Sequence, residues 1–451
     1  MKIIIVGDGK VGATLTEHLS KEGHNVVVID QDSQVVEEMV NRFDVMGISG
    51  NGASCSVLLE AGANKADLLI AATSSDELNI LSCMVSKKIG TRHTIARVRN
   101  PEYSQQLSFL REELGLSMAV NPEMETATEI CRTLRFPSAI NIETFARGRV
   151  ELAEIKVKPG SILDGVHLYS LSDRIRVKIL VCAVQRGDEI IIPDGNFVIK
   201  AGDKIHVTAS HSELAAFFKV IGIYKAKARS VLIIGGGKIA HYLAAQLLDA
   251  GMQVKIIERD RQRCHALSEW LPKATVINGD GTEQSLLLQE GINDVDAVVT
   301  LTGMDEENIL ISMYAQTLNA DKVVTKVNRL SFLGMLGNIG LDTIVSPKTV
   351  AANRIIRYVR AMHNSAGSSV QTLYKLVDGQ VEALEFIVGE AAKFTGIPLK
   401  DLKTKPNVLI ACIIRGGKII IPRGDDRLEA KDSVIVVTAN QYLRDLSDIL
   451  L

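Results

Sequence analysis

The sequence predicts an α/β fold of two tandem modules, each a doubly wound parallel sheet followed by a small α+β domain. Three observations carry that expectation. The opening run Lys2-Ile3-Ile4-Ile5-Val6 reads as a short buried strand and leads directly into Gly7-Asp8-Gly9-Lys10-Val11-Gly12. An acidic residue, Asp30, closes the next strand at the spacing that a dinucleotide-binding βαβ unit requires. The whole pattern then begins again at residue 230.

In the G-x-G-x-x-G turn the first glycine lets the chain reverse tightly, the second lets backbone N–H groups approach a pyrophosphate, and the third lets helix and strand pack closely. The helix that follows is read from Val11, Leu15 and Leu19. Its N-terminus offers unpaired N–H groups and a dipole that favour anions. A second strand runs from Asn25 to Ile29 and ends at Asp30. That carboxylate can accept hydrogen bonds from both hydroxyls of an adenosine ribose and would repel a 2′-phosphate, which favours NAD(H) over NADP(H).

The alternation continues with a helix from Gln34 to Arg42, a strand from Val45 to Ser49, the turn Gly50-Asn51-Gly52, a helix from Ser54 to Ala61 and a fourth strand from Asp67 to Ala72. Thr73-Ser74-Ser75-Asp76 follows, with Asp76-Glu77-Leu78-Asn79 opening another helix. A fifth strand, His93 to Val98, carries Arg97, with Arg99 just beyond. Further helices are expected from Leu107 to Leu114 and from Thr126 to Leu134, separated by Val120-Asn121-Pro122. Ligands of such Rossmann-like sheets lie beyond the carboxyl ends of the strands. Gly7, Asp30, Asn51, Thr73 and Arg97 are therefore expected to converge on one bound molecule.

From Val150 the texture changes to short strands and turns. Glu151 to Lys156, Ile179 to Gln185, Glu189 to Ile192 and Lys204 to Thr208 read as strands. Pro159-Gly160, Arg186-Gly187, Pro193-Asp194-Gly195 and Ala201-Gly202-Asp203 supply turn chemistry, and a helix from Ser212 to Val220 closes the domain. After a basic linker, Tyr224 to Arg229, the first half repeats. Ser230 to Ile234 is a strand, Gly235-Gly236-Gly237-Lys238-Ile239-Ala240 is the turn, and Glu258 stands where Asp30 stood. Asn278-Gly279-Asp280-Gly281 echoes Ser49-Gly50-Asn51-Gly52, and Asp305-Glu306-Glu307-Asn308 echoes Asp76-Glu77-Leu78-Asn79. Lys326-Val327-Asn328-Arg329 echoes Arg97-Val98-Arg99-Asn100, Val345-Ser346-Pro347 repeats Val120-Asn121-Pro122, and the run ending at Pro422 repeats the one ending at Pro193. The expected division is 1–125 for the first Rossmann-like domain, 126–149 for a connecting helix, 150–222 for the first small domain and 223–229 for the linker. In the second module it is 230–348, 349–370 and 371–451 for the same three parts.

At 451 residues the chain exceeds what one core usually serves. Hydrophobic content of 46% and 23% charged residues describe an ordinary globular protein. Lys+Arg of 51 against Asp+Glu of 53 leaves a net charge of −2, without the electrostatic footprint of a nucleic-acid binder. Cys55, Cys83, Cys131, Cys182, Cys264 and Cys412 are scattered with no C-x-x-C pair, and read as small core residues in a reducing compartment. No apolar run approaches the roughly 20 residues that span a bilayer, so a cytoplasmic polypeptide is expected. His18, His24, His93, His241 and His265 read as surface or helix-face residues rather than a metal site. Glu37-Glu38, Asp305-Glu306-Glu307 and Asp425-Asp426 read as solvated faces or helix N-termini, where negative charge is favourable.

With the duplication established, the chain resembles the tandem RCK (regulator of potassium conductance, also KTN) family of regulatory subunits of bacterial Trk-type potassium uptake. The residues that carry the resemblance are the paired Rossmann turns, Ala72-Thr73-Ser74-Ser75-Asp76-Glu77, Ala96-Arg97-Val98-Arg99-Asn100-Pro101 and the two small C-terminal domains. It implies a cytosolic subunit without a transport pathway of its own. Such a subunit assembles into a homo-oligomeric, tetrameric ring on the inner face of the membrane and gates a membrane potassium-translocating subunit (TrkH/TrkG-like). It also implies NAD(H) as ligand, with ATP/ADP as alternatives. Carried over by position, Gly7, Asp8, Gly9, Lys10, Val11 and Gly12 would cradle phosphates, Asp30 would take the adenosine ribose, Thr73 and Ser74 would line the site beside the Asn51 expected there from the strand order, and Arg97 would contact phosphate. The matching set is Gly235, Gly236, Gly237, Lys238, Ile239, Ala240, Glu258, Asp280, Thr302 and Lys326. That half departs from the pattern, because Ala240 replaces the third glycine and Lys326 lacks the bidentate fork of arginine.

Two other function classes compete. An NAD-dependent oxidoreductase of this fold needs a substrate domain with a proton donor in reach of the substrate. Each nucleotide module here is followed instead by a strand-and-turn domain with no such set, so no catalytic residue is assigned. The other class is a nucleotide sensor for a different partner. Lys225, Lys227 and Arg229 could touch lipid headgroups, but three basic residues in a linker are more often just solvated charges.

Overall fold

The computed structural model describes the chain except for residues 101–102, 104–112, 136–137, 140, 146–148, 188, 225–227, 319, 330–339, 342, 365–369, 377–379, 391, 393, 440–442 and 444. Most of the helix expected from Leu107 to Leu114, Pro101, and Lys225 and Lys227 of the linker lie outside the described residues, as does the side chain of Lys10. The chain divides into two compact units. One comprises Met1–Cys131 and Ala228–Ile356, the other Arg132–Lys227 and Arg357–Leu451.

The first unit holds two parallel sheets. Strands β1 (Lys2–Val6), β2 (Asn25–Asp30), β3 (Met46–Ser49), β4 (Leu68–Ala71), β5 (His93–Arg97) and β6 (Met118–Val120) lie in the order β3-β2-β1-β4-β5-β6. β1 pairs in parallel with β2 on one side (Ile5 with Val28) and with β4 on the other (Val6 with Ala71). The chain thus reverses direction along the sheet at β1, which opens a crevice at its carboxyl end. Ile3, Ile4, Ile5, Val28, Ile29, Leu68, Leu69 and Ile70 are fully buried, as expected of strands covered on both faces. The helix Lys10–Lys21 presses Val11, Leu15 and Leu19 onto them.

The second sheet reproduces the first, with β12 (Ser230–Ile234), β13 (Gln253–Glu258), β14 (Thr275–Asn278), β15 (Ala297–Thr300), β16 (Lys322–Lys326) and β17 (Ile344–Val345) in the order β14-β13-β12-β15-β16-β17. Within this unit the two halves touch through polar groups. The Asn121 amide donates to the Tyr242 hydroxyl at 3.0 Å, and Gln246 donates to Thr128 at 3.1 Å.

The sixth strands were not expected. Three residues are too few to show a period of two, and they pair only because β5 and β16 offer an open edge. After each, the chain enters a helix at a proline, Pro122–Arg135 and Pro347–Asn364. Proline at the first helical position loses no hydrogen bond, and Asn121 accepts the Met124 N–H at 3.0 Å as the cap. These helices therefore start earlier than Thr126 and Thr349. The connecting segment 126–149 is not one helix either. It stops at Arg135, and β7 (Asn141–Phe145) pairs antiparallel with β8 (Val150–Lys156). The segment 349–370 likewise gives way to a strand at Val370. The apolar faces of both helices are covered within this chain: Ala127, Ile130, Leu134, Ile355, Ile356 and Val359 are at most 1% exposed.

The second unit holds two antiparallel sheets of one topology. With β9 (Leu180–Arg186), β10 (Glu189–Ile191) and β11 (Lys204–Ser210), the first is ordered β10-β9-β11-β8-β7. The second is β18-β19-β22-β20-β21, from β18 (Val370–Leu376), β19 (Val381–Ile387), β20 (Val408–Arg415), β21 (Lys418–Ile420) and β22 (Ser433–Ala439). The first sheet is covered on one face by its own helices, Leu168–Ile175, unforeseen from sequence, and His211–Val220. In the second, short 3-10 turns at Leu399–Asp401 and Leu446–Ile449 stand in corresponding places. The other faces meet each other, since Phe145, Val150, Leu152 and Cys182 share one core with Val381, Cys412, Ile435 and Val437.

All six cysteines are free thiols, and five are buried; Cys55 is exposed, unlike a core residue. His24, expected at the surface, is 7% exposed. Among the described residues no helix is long and apolar enough to cross a membrane, and no cluster of side chains is arranged for a metal.

Candidate nucleotide site

The turn Gly7 to Gly12 sits at the carboxyl end of β1. Gly7 has φ +85°, and a Cβ there would come within 2.7 Å of Thr73 backbone and side chain, so the turn lies directly against the loop after β4. A Cβ on Gly9 would meet nothing within 4 Å, so the middle of the turn faces open space. Gly9 caps the helix Lys10–Lys21 without a side-chain bond, whereas Asp32 and Ser75 cap neighbouring helices with their own oxygens. The first N–H groups of this helix are thus left for an anion. The side chains of Val11 and Ile239 are buried, so their part in a site is limited to the backbone.

Asp30, at the end of β2, is tied into the turn. Its Oδ2 accepts the Asp8 N–H at 2.8 Å and its Oδ1 the Asp32 N–H at 3.0 Å. Asn51 stands in the loop after β3, fastened to β2 by the Gly50 N–H on the Asp30 carbonyl at 2.8 Å. Its own amide oxygen accepts the Ala53 N–H at 3.0 Å and shapes the loop. Asn51 and Arg97 are separated by four strand spacings, roughly 19 Å at about 4.8 Å each. Only a ligand as extended as a dinucleotide would touch both.

On the other side of β1, Thr73 and Arg97 are brought together by a residue that sequence reading treated only as part of a helix start. Asn79 is fully buried. Its Oδ1 accepts the Thr73 N–H at 2.8 Å and the Thr73 hydroxyl at 2.7 Å, while its amide donates to the Thr73 carbonyl at 3.2 Å and the Arg97 carbonyl at 2.9 Å. Asp76 fixes the next loop by accepting the N–H groups of Arg99 and Asn100, both at 2.8 Å. The Arg99 guanidinium donates to the carbonyl of Ser74, whose residue is exposed at the rim. Arg97 points one Nη at the Thr73 carbonyl, 3.4 Å away, and its buried Nε has no hydrogen-bond partner among the described residues. Burial, with the nearby Arg99 charge, holds its pKa below the ordinary arginine value. An under-satisfied cation in such a place suits a phosphate.

The second half repeats the plan with substitutions. Gly235 has φ +101° and lies against Leu301 and Thr302, and Gly237 opens onto empty space as Gly9 does. Glu258, 7% exposed, accepts the Gly236 N–H at 2.7 Å and the Asp260 N–H at 2.8 Å, with Arg263 at 3.7 Å. Asn308 accepts the Thr302 N–H at 2.8 Å and donates to the Lys326 carbonyl at 3.1 Å. Lys326 itself is buried and donates to the Thr302 carbonyl at 2.5 Å, so its charge is turned onto backbone. Asp280 accepts from the backbone and hydroxyl of Thr282, and those bonds hold its pKa below the usual carboxylate range. Lys238 is exposed and Ala240 fully buried.

Asp8 is 5% exposed, and burial pushes its pKa up to about 6, against the Thr16 hydroxyl at 3.0 Å and with help from the Asp30 charge. A folded value above the unfolded one means that the ionised carboxyl weighs against folding. That cost is absent below about pH 4 and complete above about pH 6.

Asn79→Ala leaves Thr73 and Arg97 backbone groups without their buried partner. It should destabilise the chain by about 1–3 kcal/mol and weaken any ligand held at both strand ends. Denaturant titration together with calorimetry of nucleotide binding checks both, and wild-type values in each would refute the role given to Asn79.

The domain profile described as TrkA-N matches residues 3–122 and 231–347, and that described as TrkA-C matches 152–222 and 383–451. The Trk system potassium uptake protein TrkA homolog 1 of Methanosarcina mazei is 36% identical over 445 residues, which are 97% of this chain and 97% of the relative. The Trk system potassium uptake protein TrkA of Haemophilus influenzae is 30% identical over 456 residues, 100% of this chain and 97% of the relative. In fold, the GsuK channel bound to NAD is similar with a TM-score of 0.63 at 20% identity, over 97% of this chain and 77% of that one. With both domain types matched twice and in order along the full chain, this protein belongs to the TrkA family of Trk-system potassium uptake proteins.

Proposed function

We propose that the chain is a cytoplasmic, nucleotide-binding regulatory subunit of potassium uptake. It binds NAD(H), or ATP/ADP, in its first Rossmann-like domain and gates a membrane potassium-translocating subunit to which it attaches peripherally. It carries out no chemistry of its own. The observation that supports this best is the open, uncapped helix N-terminus at Gly9, set between Asp30 on one side and Thr73 and Arg97 on the other. That arrangement suits ribose, pyrophosphate and a distal anionic or polar group in line. The family's curated relatives are named for potassium uptake, which supports the choice of ion. The second domain keeps the same turn, but its Lys326 is engaged by backbone carbonyls, so a weaker ligand contact is assigned there.

The working assembly is a homotetrameric ring. Support comes from apolar side chains exposed on two corresponding helices, Leu81 on Asp76–Ile89 and Leu310 and Met313 on Asp305–Thr317. The helices after Pro122 and Pro347 do not supply that support, because their apolar faces are already buried within the chain.

Asp30→Ala removes an acceptor whose charge-assisted hydrogen bonds to ribose are worth about 1.5–3 kcal/mol, so NAD affinity should fall roughly ten- to hundredfold. Calorimetry that returns wild-type affinity removes the site assignment. Reconstituted with its transporter in liposomes, the wild-type protein should make potassium flux respond to NADH/NAD or ATP/ADP, and Arg97→Ala should blunt that response while assembly persists. Equal flux with no nucleotide and with each of the four at saturation would end the gating proposal. Static light scattering should give a tetramer at micromolar concentration, and a monomer would dismiss the ring.

A further inference from the structure

The second position of the first phosphate turn, Asp8, holds a carboxylic acid that a phosphate cradle does not require. The Asp8 side chain is buried rather than presented to solvent. Its Oδ1 accepts the Thr16 hydroxyl at 3.0 Å, its N–H is held by Asp30, and its Oδ2 is buried with no hydrogen-bond partner among the described residues. The packing is close, since a Cβ on Gly12 would stand 3.1 Å from Asp8 Oδ1.

The second half dispenses with the whole arrangement. Gly236 takes the place of Asp8, and Ala244 takes the place of Thr16, so the acid and its hydroxyl partner are lost together. The remainder of the turn is kept, with Glu258 accepting the Gly236 N–H as Asp30 accepts that of Asp8. The acid is thus separable from the cradle.

We propose that Asp8 is a proton-linked residue of the first site: an anionic phosphate binding over the Gly7 to Gly12 turn draws a proton onto its carboxylate. The proposal rests on the nucleotide reading given above. The proton comes from solvent and no other bond changes, so one equilibrium links ligand and pH.

The groups around Asp8 fix the sign. The helix Lys10–Lys21 turns Thr16 toward it, β2 contributes Asp30, and the loop after β4 lies against Gly7 through Thr73. Asp30 is the charged group that acts on it among the described residues, and it disfavours ionisation. In the free protein the carboxyl titrates at about 6. A phosphate placed within about 4–6 Å adds a second like charge and raises that value further. Between the two values the bound protein holds more protons than the free one, so affinity rises as pH falls.

NAD is the suitable probe, because its pyrophosphate does not itself titrate in this range. Calorimetry at pH 6 to 8 in two buffers of different ionisation enthalpy should show proton uptake with NAD binding and an affinity that falls by up to about tenfold per pH unit. In Asp8→Asn the uptake should vanish and the affinity become level across that range. Thr16→Val, which removes the bond favouring the ionised acid, should move the uptake window to higher pH; it serves equally well if Asp8→Asn fails to fold. NAD binding without proton uptake, uptake that persists in Asp8→Asn, or an unmoved window in Thr16→Val would overturn the proposal while leaving the nucleotide reading intact. Failure of NAD, NADH, ATP and ADP alike to bind would overturn both.

Discussion

One buried side-chain amide in each half holds the strand ends of the candidate site in place. Asn79 and Asn308 are each fully buried on the first turns of a helix, and each joins the loop after one strand to the end of the next. Carbonyl and N–H groups at the ends of parallel strands have no further strand to pair with, and leaving them bare in the interior costs as much as a lost hydrogen bond. A single asparagine satisfies both a donor and two acceptors there. Aspartate could not donate and leucine could do neither. The positions of Thr73 and Arg97, and of Thr302 and Lys326, follow from this clamp rather than from the strands alone.

The duplicated plan shows which parts the fold needs and which are free to differ. The turn glycines, the acid at the end of the second strand and the buried asparagine are present twice with matching hydrogen bonds. The charged groups at the ends of the fifth strands differ. An arginine with a bare buried Nε faces one site, whereas a lysine folded back on carbonyls faces the other. Asn51 in one half corresponds to Asp280 in the other. The sheets tolerate these exchanges because none of the side chains belongs to the apolar core.

Much of this was legible in the sequence, for physical reasons. Parallel strands buried on both faces must be continuous apolar runs, and a phosphate turn must use glycine where φ is positive; both leave marks that survive duplication. The strands Met118–Val120 and Ile344–Val345 left no such mark, because pairing at a sheet edge needs only two or three residues and any side chains. Asn79 was visible but ambiguous. At the fourth position of a helix an asparagine reads as a polar surface residue until the strand ends beside it are known. The burial of the helix faces after Pro122 and Pro347 was equally hidden, because an amphipathic stripe does not say whether its cover comes from the same chain or another.

The face-to-face contact between the two antiparallel sheets has a consequence of its own. A homodimer joined about a twofold axis must use one patch that complements itself, so every substitution appears twice and must suit both copies. Here Phe145, Leu152 and Cys182 meet Val381, Ile435 and Cys412 from the same polypeptide. The joint forms at any dilution, and each side can change alone. A chain built in this way can carry one responsive half and one constant half in fixed proportion, with no sorting of unlike subunits.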